Sequence, residues 1–544
     1  MTSTRSTLPA PAPADDSADV PADPSADFPA DFPAVDAAVA GARAAFVPDV
    51  DLATRLDRLH RLEDLVRENR TVLEEALATD LGKPPAEAWL TELGFTLEEI
   101  AGIRKELGRW MTPARVPVPL SLAPARSRVE HQPLGTVLVM APWNYPVQLV
   151  LSPLAGALAA GNTVVVKPSE VSATVSGVLA ELLERYLGDC VRVVEGGVPE
   201  TTRLLEHRFD HVFYTGNGTV ARIVMAAAAR HLTPVTLELG GKSPVWVDGS
   251  TDLRTAARRI VWGKFLNAGQ TCVAPDHVLG TPETLAALEP ELLRAVEEHY
   301  GEDPSRSDSY GRIVTARHLD RLVGLLEQVP AHDVVCGGTA EPGERYLAPT
   351  VVRSAPDGPL MAEELFGPVL PLVPVASAEH AVELITAGDK PLALYVFSEE
   401  RSVKELFRRR TSSGGLSFNA PLLHLTSPEL PFGGVGESGT GAYHGKFSFT
   451  TFSHARAVLD KPLAPDTLRV VYPPYRGLRA RSRPRRSGCA GPAAGADTPC
   501  PKINPVHRPG VPRCAQPVHN GTPAAGFRDP PRRPPVDGRR WFWG

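Results

Sequence analysis

Cysteine is scarce: the 544-residue chain has six and no C-x-x-C pair. That excludes a disulfide scaffold and offers no paired spacing for zinc, so no metal is expected. No secretory leader is read at the start, where residues 1–36 carry seven Asp and one Arg and have no apolar core. One stretch imitates a membrane span: residues 134–166 hold no charge. It is broken by Pro142, Asn144, Pro146, Pro153, Gly156 and Gly161, and lipid would leave those interruptions of the backbone unsatisfied. It reads instead as strand, tight loop, helix, turn and strand, buried as parallel α/β cores are. The expected location is the cytoplasm. Net charge is small, −6, which argues against a nucleic-acid role for the whole chain.

Proline, in contrast, is abundant: 55 residues, about twice the usual ~5%. Much of it lies at the two ends. Residues 1–33 repeat Pro, Ala and Asp and are expected to be disordered. Residues 476–544 carry thirteen Arg, thirteen Pro, no Glu and a net +11, leaving −17 for the rest. This tail is expected to be disordered and without catalytic role, its composition being what GC-rich codons yield out of frame. The alternative is an arm for nucleic acid or anionic lipid, anchored by Trp541-Phe542-Trp543.

Between the tails, length allows about three domains. Residues 36–110 show helical periodicity, clearest in the leucines from Leu56 to Leu65. A short proline-rich strand is expected at Val116–Leu122. Strands at Thr136–Met140, Thr163–Val166, Val191–Glu195, Val212–Tyr214 and Val235–Leu239 alternate with helices at Pro146–Ala160, Ser172–Tyr186 and Thr219–His231. That alternation predicts a doubly wound parallel sheet. A second α/β run follows from 245 to 418, with a helix at Leu253–Leu266.

Several segments carry chemistry. Cys272 ends the loop Asn267-Ala268-Gly269-Gln270-Thr271; it is either a nucleophile or an inert buried thiol. Glu238 closes a strand and precedes Gly240-Gly241-Lys242-Ser243; it is a general base or a solvated loop acid. Gly216-Asn217-Gly218-Thr219-Val220-Ala221 fits the dinucleotide pattern G-x-G-x-x-G/A. Glu238 then falls where that pattern wants a ribose-binding acid, a competing role. Asn144 can cap a helix or donate to an oxyanion. Lys167 and Glu170 can hold a ribose or phosphate, or are surface charges.

Together these segments resemble the aldehyde dehydrogenase superfamily. The resemblance rests on Pro142–Pro146, Lys167–Glu170, Leu237–Pro244, Gly269–Cys272 and Glu363–Pro368, in that order. Finer wording resembles the class 3 branch: His231–Thr236, Trp262–Phe265, Tyr346–Thr350, Leu430–Gly436 and Gly441–Lys446. The resemblance implies a Cys272 nucleophile, an oxyanion site made by the Asn144 amide and the Cys272 N–H, and Glu238 activating the water that hydrolyses a thioester. It implies NAD or NADP as cofactor. Lys167 and Glu170 would contact the adenosine ribose, Gly216 the pyrophosphate, Glu364 the nicotinamide ribose and Phe366 the nicotinamide. Relatives usually carry Gly where this chain has Ala221, whose methyl is expected to crowd the loop or the cofactor.

The implied fold class is α/β: a doubly wound Rossmann-like cofactor domain (34–117 and 134–240), an α/β catalytic domain (241–419) and a small β bridging arm (118–133 and 420–456). A homodimer is implied, acting on a small-molecule aldehyde, medium-chain aliphatic or aromatic, with Trp262 and Phe265 expected to line an apolar tunnel. Two alternatives stand beside this: a coenzyme-A-acylating dehydrogenase, which needs no base at 238, and a non-catalytic scaffold of the same fold.

Overall fold

The computed structural model describes residues 32–473. The expected tails at 1–33 and 476–544 lie outside the described residues, apart from Phe32 and Pro33. The chain divides into two units, 1–467 and 468–544, and every strand among the described residues belongs to the first.

The uncharged stretch folds as strand Thr136–Met140, helix Gln148–Ala160 and strand Thr163–Lys167. Every residue of that helix is buried, which is why no charge is tolerated there. Gly161 ends it at φ +93°, a conformation that glycine adopts without steric cost. The helix starts at Gln148 rather than Pro146, because Glu92 accepts the N–H groups of Val147 and Gln148 (2.8 and 3.1 Å) and fixes the first turn there.

Five parallel strands form the first sheet in the order Val235–Glu238, His211–Thr215, Thr136–Met140, Thr163–Lys167, Val191–Val193, with Gly439–Thr440 added antiparallel beyond Glu238. Chain order reverses at Thr136–Met140, the kind of switch point where open α/β sheets bind ligands. A second sheet has the order Val334–Cys336, Thr350–Arg353, Val369–Pro374, His277–Gly280, Pro244–Val247, Ala393–Phe397, Gly415–Phe418; all neighbours are parallel except the first pair. Helices Leu52–Glu68, Arg70–Leu81 and Gly94–Met111 pack their leucine faces into the main core.

Two expectations are corrected. Val116–Leu122 is not a strand: pairing stops at Val116 and residues 120–122 make a 3₁₀ turn, since proline cannot donate to a ladder. The arm is also differently composed. Its sheet is Ala114–Val116, Arg126–Pro133 and Ser453–Asp460, whereas most of 420–452 belongs to the body. There Tyr443, Phe449 and Phe452 are buried, Tyr443 and Phe452 against Phe213 (5.1 and 5.7 Å) and Phe449 against Trp110 (5.8 Å). Such aromatic burial ties the segment to the body.

Candidate active site

One cavity of about 1560 Å³ opens at the carboxyl end of the first sheet, and all eight residues singled out from sequence line it: Asn144, Lys167, Glu170, Gly216, Glu238, Cys272, Glu364 and Phe366. It exceeds the ~300–1,000 Å³ of an ordinary small-molecule pocket, leaving room for two ligands. Ala221 does not line it. It is 2% exposed and belongs to a buried apolar cluster with Leu138, Val224 and Leu237 among its members, so the expected crowding of the cofactor is corrected: the side chain is part of the core.

Cys272 sits on a loop held from both sides. Tyr145 and Thr271 share a hydroxyl hydrogen bond of 2.6 Å, and the Tyr395 hydroxyl donates to the Val273 carbonyl at 2.6 Å. The Asn144 amide, 3% exposed, donates one hydrogen to the Gln270 carbonyl at 3.0 Å. An amide nitrogen has a second hydrogen to offer. Gln270 is tied by its own side chain to the carbonyls of Asn267 and Arg312 and to the Val314 N–H. The loop turns through left-handed Asn267, Ala268 and Gly269. At Gly269 an added Cβ would lie 2.3 Å from the Gly367 carbonyl oxygen. This close approach brings the Cys272 loop against the loop bearing Glu364 and Phe366. Gly269→Ala is therefore expected to cost roughly 2–5 kcal/mol, because it adds backbone strain to a collision that no side-chain rotation relieves; thermal or urea unfolding reads the loss.

Glu238 ends its strand, 2% exposed, and neither of its carboxyl oxygens has a hydrogen-bond partner among the described residues. Burial pushes its carboxyl well above the usual carboxylate range. Burial also pushes the Cys272 thiol up, reinforced by the Glu364 and Glu238 carboxylates; backbone N–H groups of Cys272 and Val273 pull the other way. A buried acid with two vacant acceptor atoms beside a half-buried thiol is an arrangement that chemistry exploits and packing alone does not favour. The bare Gly pattern's alternative for Glu238, a ribose contact, competes with this placement on the Cys272 side of the cavity.

At the other end, the Lys167 ammonium, 4% exposed, donates to Glu170 at 3.0 Å and to the Pro168 carbonyl at 2.8 Å. Gly216, Asn217 and Gly218 line the cavity where helix Gly218–Ala229 begins. Asn217 caps that helix by accepting the Val220 N–H at 2.9 Å, and the Gly216 N–H is held by the Glu238 carbonyl at 3.0 Å. A glycine-rich turn at a helix N-terminus is a pyrophosphate cradle, so these residues fit a dinucleotide. Glu364 packs against Gly240, where a Cβ would lie 2.2 Å from its carboxylate. Phe366 meets Trp143 edge-on at 5.4 Å.

Sequence reasoning missed the supports. Lys242 stood in a quoted motif without a role. Its ammonium binds Asp276 at 2.5 Å and the carbonyls of Leu360 and Glu363, while Asp276 accepts the Leu365 N–H at 2.9 Å. This pair pins the Glu363–Phe366 loop beside Glu238. Burial raises the Asp276 carboxyl, but the Lys242 ammonium, His277 and Lys264 together outweigh it and hold it low. Lys83 and Glu92, a fully buried pair at 2.5 Å, support Asn144 from behind. Arg317, His318 and Arg321 also line the cavity; no motif marked them. Trp262 and Phe265 do not line it. Phe265 is a core residue, 6.3 Å from Tyr300 edge-on, so its expected tunnel position is corrected. Cys190 is buried and Cys336 half-buried, both away from the cavity.

The described architecture agrees with known proteins. The family model "Aldehyde dehydrogenase family" matches residues 20–458. The chain is 48% identical over 427 residues to "Aldehyde dehydrogenase, dimeric NADP-preferring" of Rattus norvegicus, covering 78% of this chain and 93% of that one. It is 47% identical over 430 residues to "Aldehyde dehydrogenase family 3 member B1" of the same organism, covering 78% and 91%. Among solved structures, the substrate-bound state of Staphylococcus aureus AldH superposes with a TM-score of 0.79 at 41% identity, over 82% of this chain and 98% of that one. With the fold, the cofactor turn and the Cys272–Glu238 pair in one cavity, the chain belongs to the aldehyde dehydrogenase family.

Proposed function

We propose that this NAD(P)-dependent aldehyde dehydrogenase uses Cys272 as nucleophile, Asn144 as oxyanion donor and Glu238 as the base for hydrolysis. The observation carrying this reading is that the three meet in one cavity with the cofactor turn at Gly216–Gly218. The Cys272 thiolate adds to the aldehyde carbon; in this reading the second Asn144 hydrogen and the Cys272 N–H steady the resulting oxyanion, such a donor being typically worth roughly 10²–10³ in rate. NAD or NADP, held by Lys167, Glu170 and the Gly216–Gly218 turn, would supply the hydride acceptor that converts the adduct to a thioester. Glu238 then takes a proton from the water that cleaves the Cys272 thioester to the free acid. A base at 238 favours hydrolysis over transfer to coenzyme A, and the intact trio argues against a scaffold. The test is the product: free acid and reduced cofactor from an aldehyde panel, unchanged by coenzyme A. Medium-chain aliphatic and aromatic aldehydes suit the apolar wall of Trp143 and Leu149.

Lys167 offers a cation for a 2′-phosphate and Glu170 an acceptor for a 2′-hydroxyl, so both cofactors are expected to serve, NAD comparably or better. The name of the Rattus norvegicus relative, NADP-preferring, leans toward NADP. Glu170→Ala removes the hydroxyl acceptor and frees Lys167; the NADP-to-NAD ratio of kcat/KM is expected to rise about tenfold, a change of roughly 1.4 kcal/mol. An unchanged ratio would show that the selective contacts lie elsewhere.

A homodimer belongs to the same reading. It is supported by the word "dimeric" in that relative's name and by the open edge of strand Ser453–Asp460; sedimentation tests it. A nucleophile that must stay reduced suits the cytoplasm.

A further inference from the structure

Glu87 lies in the short helix Pro85–Ala88, inside a turn that touches both halves of the site. The ends of this turn, Lys83 and Glu92, serve the Asn144 half: Lys83 donates to the Asn144 carbonyl at 3.3 Å, and Glu92 fixes the helix that follows it. Glu87 serves the other half. Its carboxylate accepts the Asn267 N–H at 2.9 Å.

Asn267 is the hub of the nucleophile loop. It is left-handed at φ +53°, and Ala268 follows at φ +51°, a conformation that non-glycine residues hold only when their surroundings impose it. Its side-chain amide donates to the Asn144 carbonyl at 2.8 Å and the Gln270 carbonyl at 3.1 Å. The Asn144 amide reaches the same Gln270 carbonyl. Where Asn267 sits therefore sets both the oxyanion donor and the peptide two residues before Cys272.

We propose that Glu87 is a positioning residue, whose ionised carboxylate holds Asn267 in its left-handed turn and thereby sets the Asn144–Gln270–Cys272 geometry. A charge-assisted hydrogen bond is roughly twice as strong as a neutral one, so the neutral acid holds the turn less firmly. The groups facing Glu87 are few. Lys83 favours its charge and Glu92 opposes it. The other elements bring the Asn267 N–H and the phenols of Tyr145, Tyr300 and Tyr310. Burial is the main influence and pushes the carboxyl up to about 7, with Lys83 and the Asn267 N–H drawing it back. The positioning form is therefore gained as pH rises through neutrality.

The inference rests on Cys272 being the nucleophile, and the experiment separates the two. The full chain is compared with Glu87→Gln, Glu87→Ala and Cys272→Ala. The readouts are the pre-steady-state hydride burst from pH 6 to 8, iodoacetamide alkylation of residue 272, cofactor Kd and melting temperature. The ionised fraction of a group titrating near 7 changes about tenfold over that range. The wild-type burst rate is expected to carry that fall toward pH 6. Glu87→Gln keeps an acceptor oxygen without a charge, as the protonated acid does, so its burst should lose this limb and stay near the wild-type pH 6 level throughout, about tenfold below wild type at pH 8. Glu87→Ala should lower the burst and the alkylation rate roughly tenfold or more, with cofactor Kd unchanged. A Glu87→Gln burst that keeps the wild-type limb would overturn the proposal, as would a folded Glu87→Ala with a wild-type burst. Turnover surviving in Cys272→Ala would instead overturn the nucleophile assignment.

Discussion

Cys272→Ala is expected to abolish aldehyde oxidation, with kcat falling roughly 10⁴-fold or more, since no other group at the site can form the covalent intermediate. Stability should change by less than about 1 kcal/mol, because one small loop side chain is trimmed and the loop is held by its neighbours. The holding bonds run through Tyr145, Tyr395, Asn144 and Gln270, none of which uses the sulfur. Cofactor Kd should be near wild type, as the Lys167–Glu170 and Gly216–Gly218 end of the cavity is untouched. Cys190→Ala and Cys336→Ala serve as controls and should retain full turnover, since neither residue lines the cavity. Stopped-flow absorbance and cofactor fluorescence together check this. Near-wild-type turnover in Cys272→Ala would remove the basis of the mechanism.

The second large effect is on hydrolysis. Glu238→Gln should keep the hydride burst but slow steady turnover roughly 10²–10⁴-fold, the usual contribution of a general base, because hydride departs before water attacks. The amide is nearly isosteric, and both carboxyl oxygens lack partners, so no structural hydrogen bond is lost. The burial that raises the Glu238 carboxyl means it must shed a proton before acting as a base. Steady turnover of the wild type should therefore rise with pH toward the alkaline side, and that limb should vanish in Glu238→Gln. The sign for stability is opposite. A carboxyl raised in the folded state contributes stability that is present at low pH and is lost as pH rises through its folded value. Glu238→Gln should thus be at least as stable as wild type under alkaline conditions. Equal loss of burst and turnover would instead assign Glu238 to thiolate formation.

Much of this site was legible without coordinates. A parallel sheet leaves its ligand residues at strand ends and in the loops just after them, so Asn144, Lys167, Glu170, Gly216 and Glu238 occur as short local signals near predicted strands. Cys272 was legible only through the resemblance of Gly269-Gln270-Thr271-Cys272 to its family's motif, since a lone thiol in a loop is as readily an inert one. The uncharged run of residues 134–166 also announced its burial, since a charge there would have no partner.

Other features belonged to the tertiary structure alone. Lys242 and Asp276 are 34 residues apart, Glu87 and Asn267 are 180 apart, and nothing in either neighbourhood names the partner. A buried hydrogen bond is a property of two surfaces brought together, and its strength comes from the water excluded around it. The same holds for Ala221, whose added methyl reads as an obstacle in a one-dimensional motif yet is buried in an apolar cluster of the core. It holds for the segment 420–452 as well, which the resemblance assigned to an arm until Phe213 and Trp110 provided the apolar surface against which Phe452 and Phe449 pack. Residue type and local period determined which groups are chemically able to act; the packing of distant segments decided which of them are held, desolvated and aimed at one another.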